Sequence, residues 1–189
     1  MNDDKFIVYV IGSSKAEPIG ISYYAVNGKP PSGFISGKDD SFKKMYKIHG
    51  KTQYVYLLDG CDMLDNNDDF AKMSTCGKGF IFVYSIRNIE KTIKFIREIH
   101  DKIASKRQGP LPCVVISNHT DEDMKLSLQN QEGNNLAKEW KCNFFQVSSK
   151  TGKNIDQAIV SLLETIIKPD NEPEKTNEED GNGGCCSIF

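Results

Sequence analysis

The side chains best placed for chemistry sit in short polar segments, each of which follows an apolar run. The first run, FIVYVI, ends at Gly12 and opens into GSSKAEPI. Loops of the pattern G-x-x-x-x-G-K-[ST] cradle phosphates on backbone N–H groups, neutralise them with the Lys and hold Mg²⁺ through the hydroxyl. Gly12 fits that pattern, but Glu17 stands at the second Gly, Pro18 at the Lys and Ile19 at the hydroxyl. Pro18 has no backbone N–H to give, and Glu17 turns negative charge toward a phosphate. Ser13 and Ser14 remain as polar loop residues, and Lys15, one turn earlier, is either a substitute cation or an ordinary solvated Lys. Further along, Asp59 closes the run VYLLD, Asn118, His119 and Asp121 lie in SNHTD, and Ser148, Ser149 and Lys150 lie in VSSKTG. Asn, Asp and Ser serve ligand hydrogen bonds, and they serve caps and turns equally well.

The final residues offer a different chemistry. Cys186-Ser-Ile-Phe189 is a C-a-a-X box, in which the Cys186 thiol is prenylated and Phe189 favours geranylgeranyl. One lipid anchors weakly, and no polybasic patch supplies a second signal, so Cys185 is expected to be palmitoylated. Cys61, Cys76, Cys113 and Cys142 are scattered without metal-ligand spacing and read as reduced thiols. The N-terminal residues lack the basic and apolar regions of a signal peptide, and no apolar run reaches the roughly 18 residues needed to cross a bilayer. The expected location is the cytoplasmic face of a membrane, most simply the plasma membrane, reached by the lipid. A net charge of -2 argues against a nucleic-acid partner, which would demand clustered Lys and Arg.

These segments need a scaffold, and 189 residues with 38% hydrophobic content allow one ordinary domain plus a tail. Lys5 to Ile11 reads as a buried strand, followed by a loop from Gly12 to Pro18 and a short helix through Asn27. Phe42 to His49 and Thr52 to Asp59 read as a hairpin that turns at Gly50 and Lys51. Gly79 to Ser85 and Leu111 to Ser117 are continuous apolar runs, as in strands covered on both faces. Ile89, Ile93, Ile96 and Ile103 mark one helix face between them. A helix ending near Trp140, a strand from Asn143 to Val147 and a helix striped by Ile155, Ile159, Leu162 and Leu163 complete the order. Strands alternating with helices imply a mostly parallel sheet covered on both faces, with ligands at the carboxyl ends of the strands. Residues 169–185 are acidic and lack large apolar side chains, so they read as a flexible linker.

With the motifs in this order at these strand ends, the chain resembles the Ras family of small GTPases over essentially its whole length. The resemblance implies an α/β, three-layer P-loop NTPase-like G domain over residues 1–168, with a mostly parallel six-stranded sheet, ahead of the linker and the box at 186–189. It implies GTP and GDP as ligands, with Gly12, Ser13, Ser14 and Lys15 in the phosphate loop. It also places Asp59 where the family supports Mg²⁺ through water. Asn118 and Asp121 match the guanine-reading motif, in which Asp121 accepts two hydrogen bonds from the base. His119 stands for the Lys whose stem packs on the base. Ser148, Ser149 and Lys150 match the loop whose backbone N–H, at Ser149, meets the guanine carbonyl while Lys150 covers the ring.

Several positions depart from the family pattern. Gly37 replaces the effector-loop Thr that contacts Mg²⁺ and the γ-phosphate, so together with Ile19 two metal contacts are missing. Asp62 replaces a phosphate-sensing Gly, and Met63 replaces the Gln that orients the attacking water, so hydrolysis is expected to be impaired. The stretch from Lys38 to Lys44 is edge-like and is read either as a site where an effector strand is added or as a plain edge strand. Two functions follow: a membrane-anchored switch with a degenerate pocket, or a pseudo-GTPase serving as an anchored interaction module. A flavodoxin-like domain leaves the SNHTD and VSSKTG loops unexplained.

Overall fold

The computed structural model describes residues 6–33, 42–119, 121 and 131–169. In chain order these form β1 (Phe6–Ile11), α1 (Pro18–Asn27), β2 (Lys43–Ile48), β3 (Lys51–Asp59), α2 (Asn67–Cys76), β4 (Gly79–Ser85), α3 (Ile89–Lys106), β5 (Cys113–Asn118), α4 (Glu132–Trp140), β6 (Asn143–Gln146) and α5 (Ile155–Ile166). The six strands form one sheet in the order β2-β3-β1-β4-β5-β6. Only β2 and β3 pair antiparallel; every other neighbouring pair is parallel.

Strand alternation divides the core into two layers. Val8 and Val10 of β1, Ile81 and Val83 of β4, and Val114 and Ile116 of β5 face α1 and α5. Tyr9, Ile11, Phe80, Phe82, Tyr84 and Val115 face the opposite way, toward α2, α3 and α4. Burying each of the larger aliphatic side chains contributes about 1.5–3 kcal/mol. All seven residues of β4 are buried, which explains the absence of polar alternation in GFIFVYS. The three-layer architecture read from the sequence is therefore the one observed.

Three local details differ from the reading above. The hairpin turns at His49 and Gly50, with φ of 48° and 79°, and Lys51 already pairs with Ile48. A two-residue turn of this kind needs positive φ at both central positions, so His49 shares a conformation expected of Gly alone. The strand expected from Leu111 starts at Cys113, beyond Pro112, which lacks an N–H for the ladder. Helix α2 was not anticipated. Asn66 caps it by accepting from the Asp68 and Asp69 N–H groups at 2.9 and 3.2 Å, and the two Asp residues suit the positive end of the helix dipole.

Candidate functional site

The ends of β1, β3, β4 and β5 converge around the loop that follows β1. Gly12 is required there: a Cβ would lie 2.6 Å from the Val83 carbonyl oxygen and 3.0 Å from Val83 Cβ. The loop then closes a short 3₁₀ turn over Ser14–Ala16, with the Ala16 N–H donating to Ser13 O at 2.8 Å. Glu17 follows in the left-handed region, at φ 53° and ψ 52°, a conformation that Gly adopts without cost. Pro18 opens α1, where its fixed φ suits the first turn and its missing N–H has no intrahelical partner to lose. Ile19 packs against the α1/α5 layer of the core. The substituted residues are thus accommodated by the backbone, but none of them supplies phosphate or metal chemistry.

Asn118, fully buried at the end of β5, ties two loops together. Its Nδ2 donates to Ala16 O at 2.9 Å and to Ser149 Oγ at 3.0 Å, while its Oδ1 accepts from the Ser149 N–H at 2.9 Å. Ser148 Oγ accepts from the N–H groups of Lys150 and Thr151 at 3.3 and 3.0 Å, and Tyr24 Oη donates to Thr151 O at 2.8 Å. Asn118 and Ser149 are therefore brought together beside the phosphate-type loop. The Ser149 N–H that the resemblance gives to a guanine carbonyl has an internal acceptor here, Asn118 Oδ1. Lys15, Asp121 and Lys150 are exposed.

His119 leaves β5 in the left-handed region and is buried. Its Nδ1 lies 2.8 Å from Ser85 Oγ, which also accepts from the Arg87 N–H at 3.2 Å. Its Nε2 faces Glu17 Oε2 at 3.3 Å without the directionality of a good hydrogen bond. The other Glu17 oxygen lies 3.3 Å from Arg87 Nη1. A carboxylate of the chain itself thus sits between a cation and an imidazole at the start of α1, where a phosphate would be sought. Both Arg87 and Glu17 are about half exposed, so this pair is worth no more than about 1 kcal/mol.

The segment after β3 closes over the same loop. Asp59 Oδ1 accepts from the Cys61 N–H at 2.9 Å, and the Cys61 thiol donates to Gly12 O at 2.7 Å while lying 3.4 Å from Gly12 N. Among the described residues no three His, Cys, Asp or Glu side chains group to hold a metal. Asp59 serves the local turn and Ile19 serves the core, so the described residues do not assemble a set that fits Mg²⁺. The phosphate half does not fit either, since Pro18 lacks the N–H and Glu17 brings the wrong charge. The base half fits in residue identity, through Asn118, Asp121, Ser149 and Lys150. Cys61, Ser85 and Arg87 were missed in the sequence, and Ser85 alone carried a signal, as the polar residue ending an apolar strand.

Of the expected effector stretch, Gly37 and residues 38–41 lie outside the described residues, as do Cys185 and Cys186. Phe42 is buried, and Lys44 bonds Asp156 of α5 at 2.7 Å. Tyr46 also donates to Asp156, and burial, then the Asp156 charge, holds its phenol well above its usual range. β2 forms one edge of the sheet, with Met45 and its cross-strand partner Tyr54 exposed.

A parallel sheet with its loops tied together at the strand carboxyl ends defines the α/β class that binds ligands at that edge. Within that class, the model of the Ras family matches residues 35–168, a stretch that begins after the Gly12 loop. The chain is also similar to the GTP-binding protein Rheb homolog of Dictyostelium discoideum, at 25% identity over 174 residues, which covers 91% of this chain and 93% of the relative. The chain belongs to the Ras family of small GTPases. Membership implies guanine-nucleotide binding in general and interaction with effectors and regulators.

Proposed function

We propose that this chain is a lipid-anchored Ras-type signalling protein that takes guanine nucleotide weakly and does not hydrolyse GTP at a useful rate. The observation that carries the reading is Asn118, which holds the base-side loop at Ser149 against the phosphate-side loop at Ala16. The base half keeps its residues, whereas the phosphate half has exchanged an N–H and a cation for Pro18 and a carboxylate. Met63, in place of Gln, has a thioether that cannot orient a water nucleophile. Effectors meet the protein at the β2 edge and the stretch from Lys38 to Lys44, by strand addition.

A second reading, an interaction module without any nucleotide cycle, is favoured by the Glu17 carboxylate between Arg87 and His119. The nucleotide released from the purified full-length chain by acid separates the two readings. Guanine nucleotide, or binding of added GDP in a titration, supports the first. A protein that is empty and does not bind GDP supports the second, and adenine nucleotide or flavin rejects the guanine assignment altogether.

The anchor is placed at Cys186 by prenylation, with palmitoylation of Cys185 as the second hold at the cytoplasmic face of the plasma membrane. Cys186→Ser is expected to move the protein from the membrane to the soluble fraction on cell fractionation. Retention on the membrane would remove the anchor from this proposal.

A further inference from the structure

Two cysteines that the strand-end site does not use lie side by side near the opposite end of the sheet. The β5–β6 register pairs Val114 with Asn143, so Cys113 and Cys142 are the neighbours one residue earlier. Adjacent strands lie about 4.8 Å apart and cross-strand neighbours point to the same face. That separation falls inside the Cα span of roughly 4.4–6.8 Å that a disulfide bridges. Both side chains meet the same apolar layer, Cys113 within it and Cys142 packed against it.

The thiols also affect one another. The Cys113 thiol donates toward Cys142 and draws it below the ordinary thiol range; the Val115 N–H acts in the same direction and burial opposes them. The same contact, then burial, pushes Cys113 up. Such an arrangement pairs a readier thiolate with a proton-holding partner, as attacking and resolving thiols require. Access is also unequal: β6 is the edge strand, Cys142 is partly exposed just before it, and Cys113 is buried. The other described thiols lack this geometry, since Cys61 is engaged with Gly12 and Cys76 stands exposed at the end of α2.

We infer that Cys113 and Cys142 form a reversible dithiol–disulfide site that is oxidised by small hydroperoxides, with Cys142 attacking and Cys113 resolving. The Cys142 thiolate attacks the terminal peroxide oxygen, the O–O bond breaks, and the alcohol or water leaves with a proton, giving a sulfenic acid. The Cys113 sulfur then attacks the Cys142 sulfur and expels hydroxide, which takes the Cys113 proton to become water. Two thiols and one hydroperoxide thus give one disulfide, one alcohol and one water. The bond closes a covalent ring around Asn118, His119, Asp121 and α4.

The test treats the reduced full-length chain with stoichiometric hydrogen peroxide, blocks remaining thiols and maps tryptic peptides by mass. Peptides 108–125 and 142–150 should appear joined, two hydrogens lighter than their sum, with two of the six thiols lost and both restored by dithiothreitol. Cys113→Ala should leave Cys142 as a sulfenic acid that a dimedone probe captures, which the native chain does not accumulate. If that variant fails to fold, the native map decides alone. Both thiols still free while Cys76 is already oxidised, or a sulfenic Cys142 persisting unlinked in the native chain, would overturn the assignment.

Discussion

Replacing Asn118 with Ala is expected to lower the unfolding free energy by about 3 kcal/mol, the cost of stranding buried polar groups. The side chain makes three hydrogen bonds, and its partners Ala16 and Ser149 are buried. Ala leaves the Ala16 carbonyl and the Ser149 N–H without those bonds, and each buried unsatisfied group costs about 1–3 kcal/mol. Urea unfolding checks this: the midpoint should fall while the m-value stays unchanged. Asn118→Asp sharpens the test. It keeps an acceptor for Ser149 N–H but sets a carboxylate oxygen against Ala16 O, where the amide donated at 2.9 Å, so it should be no better than Ala. A loss below about 1 kcal/mol for either variant would show that the two loops are held by other contacts.

What the sequence disclosed followed from how local its physical signals are. β4 and β5 announced themselves because burial on both faces leaves only apolar residues, and α3 because Ile89, Ile93, Ile96 and Ile103 repeat at helical spacing, with Ile99 joining them on the buried face only in the structure. Helix α2 lacked such a stripe: only Phe70, Met73 and Ser74 of its residues are buried, and its cap at Asn66 was the clearer sign. The polar residues of SNHTD and VSSKTG were legible by type and order, and Asn118 and Ser149 do meet. The partners of the altered loop were not. Glu17 reaches Arg87 across 70 residues and Cys61 reaches Gly12 across 49, and no local pattern encodes such pairings. The losses at Glu17 and Pro18 were visible as missing chemistry, whereas their structural fit, one in the left-handed junction and the other in the first helical turn, needed coordinates.

Restoring the loop with Glu17→Gly, Pro18→Lys and Ile19→Ser together is expected to raise GTP affinity by roughly 10³-fold in the presence of Mg²⁺. Three charge-assisted contacts at about 1.5–3 kcal/mol each carry that estimate. Glu17→Gly acts twice. It removes a carboxylate that repels a phosphate charge by about 3 kcal/mol at 5 Å and an effective dielectric of 20. It also relieves a non-Gly residue at φ 53°, worth about 1 kcal/mol. Pro18→Lys returns an N–H and a cation to the first turn of α1. Ile19→Ser gives up a partly buried side chain of the core, costing about 1–2 kcal/mol, so folding stability should change little overall. Titration with a fluorescent GTP analogue, with Mg²⁺ and with chelator, measures the gain, and hydrolysis should stay slow because Met63 is untouched. An unchanged affinity would move the block to the Cys61 thiol held on Gly12 O at 2.7 Å, and adding Cys61→Ala to the same background would then have to release it.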